Sequence, residues 1–303
     1  LLVKRLFGLI PVVFGILLLT FLLVHLVPGD PVDVMLGDSA ASSDREQLRV
    51  ELALNQSLPA QFIQYISHLV RGDFGRSIQT QLPISTLLLE RIPRTTELAF
   101  LAMLIATAIG LPLGIFAALN AGKWLDQTVG ILSLSLSAMP HFWLGPLLML
   151  EFALWLGWLP VSGMDRTASI ILPAMTLGFG LASILTRMTR ASLLEILSED
   201  FVRTARAKGL SEHTVILRHA LRAALLPIIT VLGLQLGSLL AGAVITETVF
   251  GWDGIGRLLV ESIEKRDYPV TQACVLVIAI SYVLINLVTD VLYAKLDPRL
   301  RLA

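Results

Sequence analysis

Apolar and polar positions alternate on a long scale in this chain. Apolar runs of twenty or more residues are separated by shorter polar stretches. A helix needs roughly 20 apolar residues to cross a bilayer. Six stretches meet that length, at 6–27, 97–119, 126–158, 170–190, 225–248 and 271–293. The third exceeds one crossing. Its segment Met139-Pro140-His141-Phe142-Trp143-Leu144-Gly145-Pro146 predicts a broken or tilted helix. The run after Lys4 and Arg5 is too long for a signal-peptide core and ends in Pro28-Gly29-Asp30-Pro31 rather than a small-residue cleavage site. It reads as a retained first span.

Between the spans, shorter periodicities appear. Residues 44–54 and 60–70 carry apolar positions at helical spacing, and 71–78 reads as a turn or short extended piece. Residues 28–95 are therefore expected to form a small helical cap. Residues 199–227 read as a basic helix-turn-helix broken at Gly209, with Pro227 opening the next span. The fold class is all-α, a single transmembrane domain over 1–303 with six helices.

Composition agrees with this pattern. The 303 residues are 55% hydrophobic and only 15% charged, where soluble domains carry about a quarter charged. Mean hydropathy is +0.78. Net charge is zero, so no global field favours nucleic acid. The single cysteine, Cys274, lies in an apolar run and excludes a disulfide framework or a cysteine zinc site. Lys4, Arg5, Lys123, the cluster from Arg187 to Arg222, and Lys295, Arg299 and Arg301 fall on one side of a six-span topology. That side is cytoplasmic by the positive-inside rule, and both termini lie there. The 28–95 segment is then outside; its length frees it from the charge rule.

Catalytic motifs are missing. Gly122-Lys123 is followed by Trp124 and lacks the upstream glycine of a phosphate-binding loop. No metal-binding or nucleophile motif occurs, so no cofactor is expected in this chain. His213 and His219 read as solvated or capping residues. Two polar residues lie inside the third span, where such groups are costly. His141 adjoins Pro140 and suits either a freed backbone carbonyl or a transported solute. Glu151 suits a structural or cavity-lining place, or a proton path. The second option would make the chain a proton-coupled secondary transporter, although inverted repeats are not visible.

The basic stretch offers a docking surface. Phe201, Val202, Ala205 and Leu210 provide an apolar strip, with Arg203, Arg206 and Lys208 around it and Gly209 permitting a turn. A lipid-bound amphipathic loop, or a scaffold recruiting a soluble partner, is the plainer reading. On the outer side, Phe250-Gly251-Trp252-Asp253-Gly254-Ile255-Gly256-Arg257 precedes an amphipathic stretch. Trp252, Ile255 and Arg257 are its candidate outer-gate and partner-contact residues; an interfacial anchor is the alternative.

These residues carry a family resemblance. The stretch from Ser198 to Gln235 resembles the "EAA" coupling loop and following span of binding-protein-dependent ABC importer permeases, in particular the dipeptide/oligopeptide/nickel branch. So do 25–32, 72–78, 245–270 and 286–301, in order along the whole chain. Ala205 and Gly209 match the general motif, while Arg203 and Thr204 stand where it has Glu and Ala, and the distance from Gly209 to Pro227 exceeds the short consensus. Both departures resemble the peptide/nickel branch. The resemblance implies a type I ABC importer permease fold in a bacterial inner membrane, with 191–224 as the cytoplasmic coupling-helix loop. It implies as partners a second homologous permease, two ATP-binding subunits that use ATP and Mg2+, an extracytoplasmic substrate-binding protein, and membrane lipid. The permease itself would not be an enzyme. Dipeptides or short oligopeptides are the substrates first implied, with nickel chelates and glutathione-like solutes as alternatives.

Overall fold

The computed structural model describes residues 2–25, 32, 42–51 and 55–296, and among these the ordered elements are helical. In chain order they are α1 (Leu2–His25), α2 (Ser42–Glu51), α3 (Leu58–Val70), α4 (Ile84–Leu119), α5 (Trp124–Ala138), α6 (His141–Leu148), α7 (Ile171–Leu197), α8 (Asp200–Ala207), α9 (Glu212–Thr214), α10 (Leu221–Phe250), α11 (Ile255–Glu264) and α12 (Tyr268–Leu296). The Pro28–Pro31 turn and the basic residues after Leu296 lie outside the described residues.

Four helical stretches are long and apolar enough to cross a membrane: Ile84–Leu119, Thr167–Leu197, Glu212–Gly237 and Tyr268–Thr289. The pair Trp124–Ala138 and His141–Trp155, bent by 107°, passes the same test together and makes a fifth when counted as one span. The described apolar part of α1, Gly8–Leu22, is shorter. The sequence-derived count of six is thus matched by up to five such spans among the described residues. The break falls at Pro140, whose extended backbone (ψ 140) caps α6. Pro146 stays inside α6, and a π-helical turn, Met149–Trp155, follows it. Proline's missing N–H removes one α-type bond, and the wider turn re-pairs the carbonyls downstream. Pro227 does not open its span. It lies inside α10, preceded by another π turn, Val215–Ala220.

The residues divide into two compact units. The first comprises 1–95 and 253–283. Its core gathers Ile84, Leu88, Ile255, Leu258, Val270, Ala273 and Cys274. Polar bonds join its helices: the Gln272 amide donates to the Thr20 carbonyl at 2.8 Å, Thr20 meets the Tyr65 hydroxyl at 3.2 Å, and His25 Nε2 meets Gln61 at 2.9 Å. Side-chain hydrogen bonds of this kind hold helices together where apolar burial gives little preference.

In the second unit, 96–252 and 284–303, α7 is the hub. The C-terminal half of α4 crosses it closely. A Cβ on Gly110 would stand 2.9 Å from Leu185, one on Gly114 2.6 Å from Thr189, and one on Gly178 2.9 Å from Ile105. Missing side chains at these three positions let the backbones approach. The start of α5 is tied to α7 by an ion pair, in which Arg190 Nη2 donates to Asp126 at 2.7 Å while the Gly122 N–H reaches the same carboxylate.

Candidate functional site

The basic segment folds as the periodicity predicts, with one difference in orientation. Glu199 precedes α8 in extended conformation, and Asp200 places an acid in the first turn, where the helix dipole favours it. α8 ends when Gly209 takes φ +76, a left-handed conformation open to glycine. The Gly209 N–H closes on Arg206 and the Leu210 N–H on Ala205. Ser211 then starts the next helical stretch. Arg206 crosses the turn to Glu212, Nε to Oε1 at 2.8 Å, and pins the two arms.

The sequence could not say which way the apolar strip faces. Val202 is 0% exposed and Ala205 7%, and both belong to a core with Leu185, Leu193, Val215, Ala220, Ala224 and Ile228. They hold α8 to its own chain rather than offering a surface. Phe201 and Leu210 remain exposed, flanked by exposed Arg203 and Lys208. The outward surface is therefore two apolar side chains in a basic rim.

The outer candidates are placed differently from one another. Gly251 caps α10 in the left-handed conformation, and the Trp252 N–H returns to the Glu247 carbonyl at 2.8 Å. Trp252 is only 5% exposed and packs in a core with Leu98, Ala102, Leu177 and Ala243. An indole so buried is not available as a headgroup-level anchor. Ile255 is buried too, and its N–H donates to Thr95 Oγ1, which caps it at 2.9 Å. Arg257 is half-exposed and paired with Glu261 one turn on. Sequence reasoning missed Asp253, which both Arg91 and Arg94 clasp, and Asp267, which takes the Ser77 hydroxyl. Nothing local signals these pairs, since their partners are far away along the chain.

His141 and Glu151 part company. The His141 ring lies against α7 at Gly180, whose Cβ, if present, would stand 2.7 Å from the imidazole. Its Nδ1 is buried without a hydrogen-bond partner among the described residues. Glu151 is exposed on the π turn. Among the described residues no cluster of three or more potential ligands could hold a metal.

Comparison with known proteins decides the family. Residues 110–302 match the model of the binding-protein-dependent transport system inner membrane component, and 1–99 match the N-terminal model of that membrane component. The chain belongs to this family. The permease is 46% identical over 299 residues to the glutathione transport system permease protein GsiC of Escherichia coli (strain K12), covering 99% of this chain and 98% of that protein. The GsiC of Salmonella typhi is 46% identical over 298 residues, covering 98% and 97%. Among solved structures, an inward-facing MetNI methionine ABC transporter chain aligns with TM-score 0.61 at 19% identity, covering 70% of the permease and 96% of that chain. An amino acid ABC transporter chain solved with histidines gives 0.54 at 16%, covering 70% and 94%. These two share the fold. The permease is thus a multi-pass inner-membrane subunit of a binding-protein-dependent ABC importer of the peptide/nickel type. It is not itself an enzyme, and its class works with an ATPase and a substrate-binding protein.

Proposed function

We propose that this permease forms the translocation path for glutathione or closely similar short peptides. The observation carrying this is the 46% identity, held over 99% of the chain, to permeases of a glutathione transport system. Dipeptides, longer oligopeptides and nickel chelates, which the peptide/nickel branch also suggests, are the competing cargoes.

In this reading the importer contains the permease, a second homologous permease, two ATPase subunits holding ATP and Mg2+, and an extracytoplasmic binding protein. The termini are cytoplasmic. The 191–224 loop is the coupling element, with Phe201, Arg203, Lys208 and Leu210 seated in an ATPase cleft, and Val202, Ala205, Arg206 and Gly209 shaping the helix that presents them. Apolar anchors in a charged rim suit a groove of opposite charge. Residues 28–95 form an outer cap. Arg257 is the accessible member of the outer trio for binding-protein contact, while Trp252 and Ile255 set the position of the turn beside it. His141 and Glu151 are the polar groups proposed to border the path. ATP binding closes the ATPase pair and drives the spans between inward- and outward-open states, so each ligand must bind one state better than the other.

Uptake of labelled glutathione into cells expressing all subunits tests the substrate. The expected result is glutathione uptake that requires the permease and resists excess dipeptide. Dipeptide or nickel uptake without glutathione uptake would overturn it.

A further inference from the structure

We infer that α3 (Leu58–Val70) lies in the outer leaflet of the membrane, its apolar stripe of exposed Pro59, Ile63 and Val70 and partly buried Ile66 covered by lipid acyl chains. This goes beyond the transport reading and rests only on α1 crossing the membrane.

The stripe recurs at spacings of four, three and four, which places its members on one helical face. Ile63 is 68% exposed and Val70 82%. A different face of α3 holds α1: Gln61 bonds His25, Tyr65 bonds Thr20, and Phe62 packs between Phe14 and Phe21 with ring centroids 5.9 and 5.2 Å away. These contacts fix the depth. Phe14 precedes His25 by eleven residues, roughly 16 Å of helix. A hydrocarbon core is ~30 Å thick, so with His25 near the outer surface Phe14 lies near the midplane. Phe62 touches both Phe14 and Phe21 beside the Gln61–His25 bond, so it lies on the acyl side of the outer interface. A helix held there cannot keep an aliphatic stripe in water.

The remaining arc of α3 fits the same placement. Gln64, Ser67 and His68 form its polar edge, and exposed Arg71 follows at its end. That division into an aliphatic face and a polar edge suits a helix lying in the interface, with Arg71 reaching headgroup phosphates. A protein partner would favour aromatic or arginine anchors at the centre of the patch, and the stripe has none. On α1, Leu18 and Leu19 are likewise exposed aliphatic side chains. Lipid lets α3 fix the outer 71–83 loop at the membrane surface.

Spin-label accessibility tests this in the assembled importer, reconstituted in phosphatidylethanolamine–phosphatidylglycerol vesicles. Cys274 is the single native cysteine, and Cys274→Ala gives the background. Labels go to Ile63→Cys, Val70→Cys, Gln64→Cys, and Leu19→Cys as the α1 reference. The expected result is several-fold higher collision with oxygen than with a water-soluble nickel chelate at 63 and 19, reversed at 64. Nickel-chelate access at 63 with oxygen access at 19 would overturn the lipid placement of α3 and leave α1 in the membrane. Neither collider reaching 63 would also overturn it, in favour of a protein partner. Chelate access at 19 would remove the premise along with the proposal. Because 63 and 70 are both exposed, a misfolded variant at one leaves the other to decide.

Discussion

Ser77 donates its hydroxyl to Asp267 at 2.5 Å, although 190 residues separate them. Both are nearly inaccessible, at 1% and 4% exposure. Asp267 also receives the Ile78 and Gln79 N–H groups, and the Gln79 amide reaches the Lys265 carbonyl at 3.0 Å. The only two described non-glycine residues with positive φ, Gln81 at 58° and Arg266 at 56°, stand beside this clamp on its two strands of chain. Backbone held in that region stores strain that surrounding bonds must offset.

Asp267→Ala would strand the buried Ser77 hydroxyl and remove the acceptor of two partly buried N–H groups. Unsatisfied buried groups cost about 1–3 kcal/mol each before relaxation. The expected outcome is faster proteolysis between residues 73 and 83 and a lower melting temperature in detergent. Asp267→Asn, which keeps an acceptor oxygen, should lose less. Equal behaviour of Ala and wild type in the proteolysis assay would remove the clamp's role.

Gly180 and His141 should be energetically coupled. Gly180→Ala sets a methyl 2.7 Å from the imidazole, an overpacking that typically costs about 1–3 kcal/mol. His141→Ala vacates that space. The double variant should therefore recover most of the loss seen in Gly180→Ala alone, measured as thermal stability of the purified permease. Simple additivity would mean that the ring moves aside at no cost.

The proposed coupling segment should divide its variants into two classes. Phe201→Ala and Arg203→Glu are expected to leave the permease folded and inserted while weakening ATPase co-purification. Ala205→Glu buries an unpaired charge in the chain's own core, a change worth several kcal/mol, and is expected to lower permease accumulation itself. Gly209→Pro cannot hold φ +76, since proline is fixed near −65°, and should act like Ala205→Glu. Normal accumulation of Ala205→Glu would return that position to the outward face.

Topology gives a further check. A reporter fused after Ala303 should be cytoplasmic and one inserted near Asp44 extracytoplasmic. Finding both on one side would require an odd number of crossings to be redrawn.

Length and periodicity made most of the helices readable from the chain. The helices near 44–54 and 60–70, the break at Pro140 and the turn at Gly209 are all local signals, and the structure has helices or breaks there. The early start of α4 at Ile84 was not readable, because 84–95 mixes Glu90, Arg91 and Arg94 with leucines and lacks a span's uniform hydropathy. Orientation was hidden as well. An apolar strip such as Val202 and Ala205 looks the same whether it faces a partner or its own core. Trp252 shows the same ambiguity, since aromatic character beside glycines fits both a membrane surface and a packed turn. Pairs such as Asp126 with Arg190, or Asp253 with Arg91, are set by tertiary closure and leave no periodic trace.

The inward turn of Val202 and Ala205 has a mechanical consequence. These side chains share one packed cluster with Leu193 near the end of α7 and with Ala224 and Ile228 near the start of α10. Packed interiors are stiff and transmit displacement rather than absorbing it. A push delivered to Phe201 or Leu210 in the proposed docking would find little slack to take up. It would travel through α8 into the ends of two long apolar helices at once, so the segment would act as a cam fixed to its shaft, turning a stroke at its outer surface into a stroke of the spans.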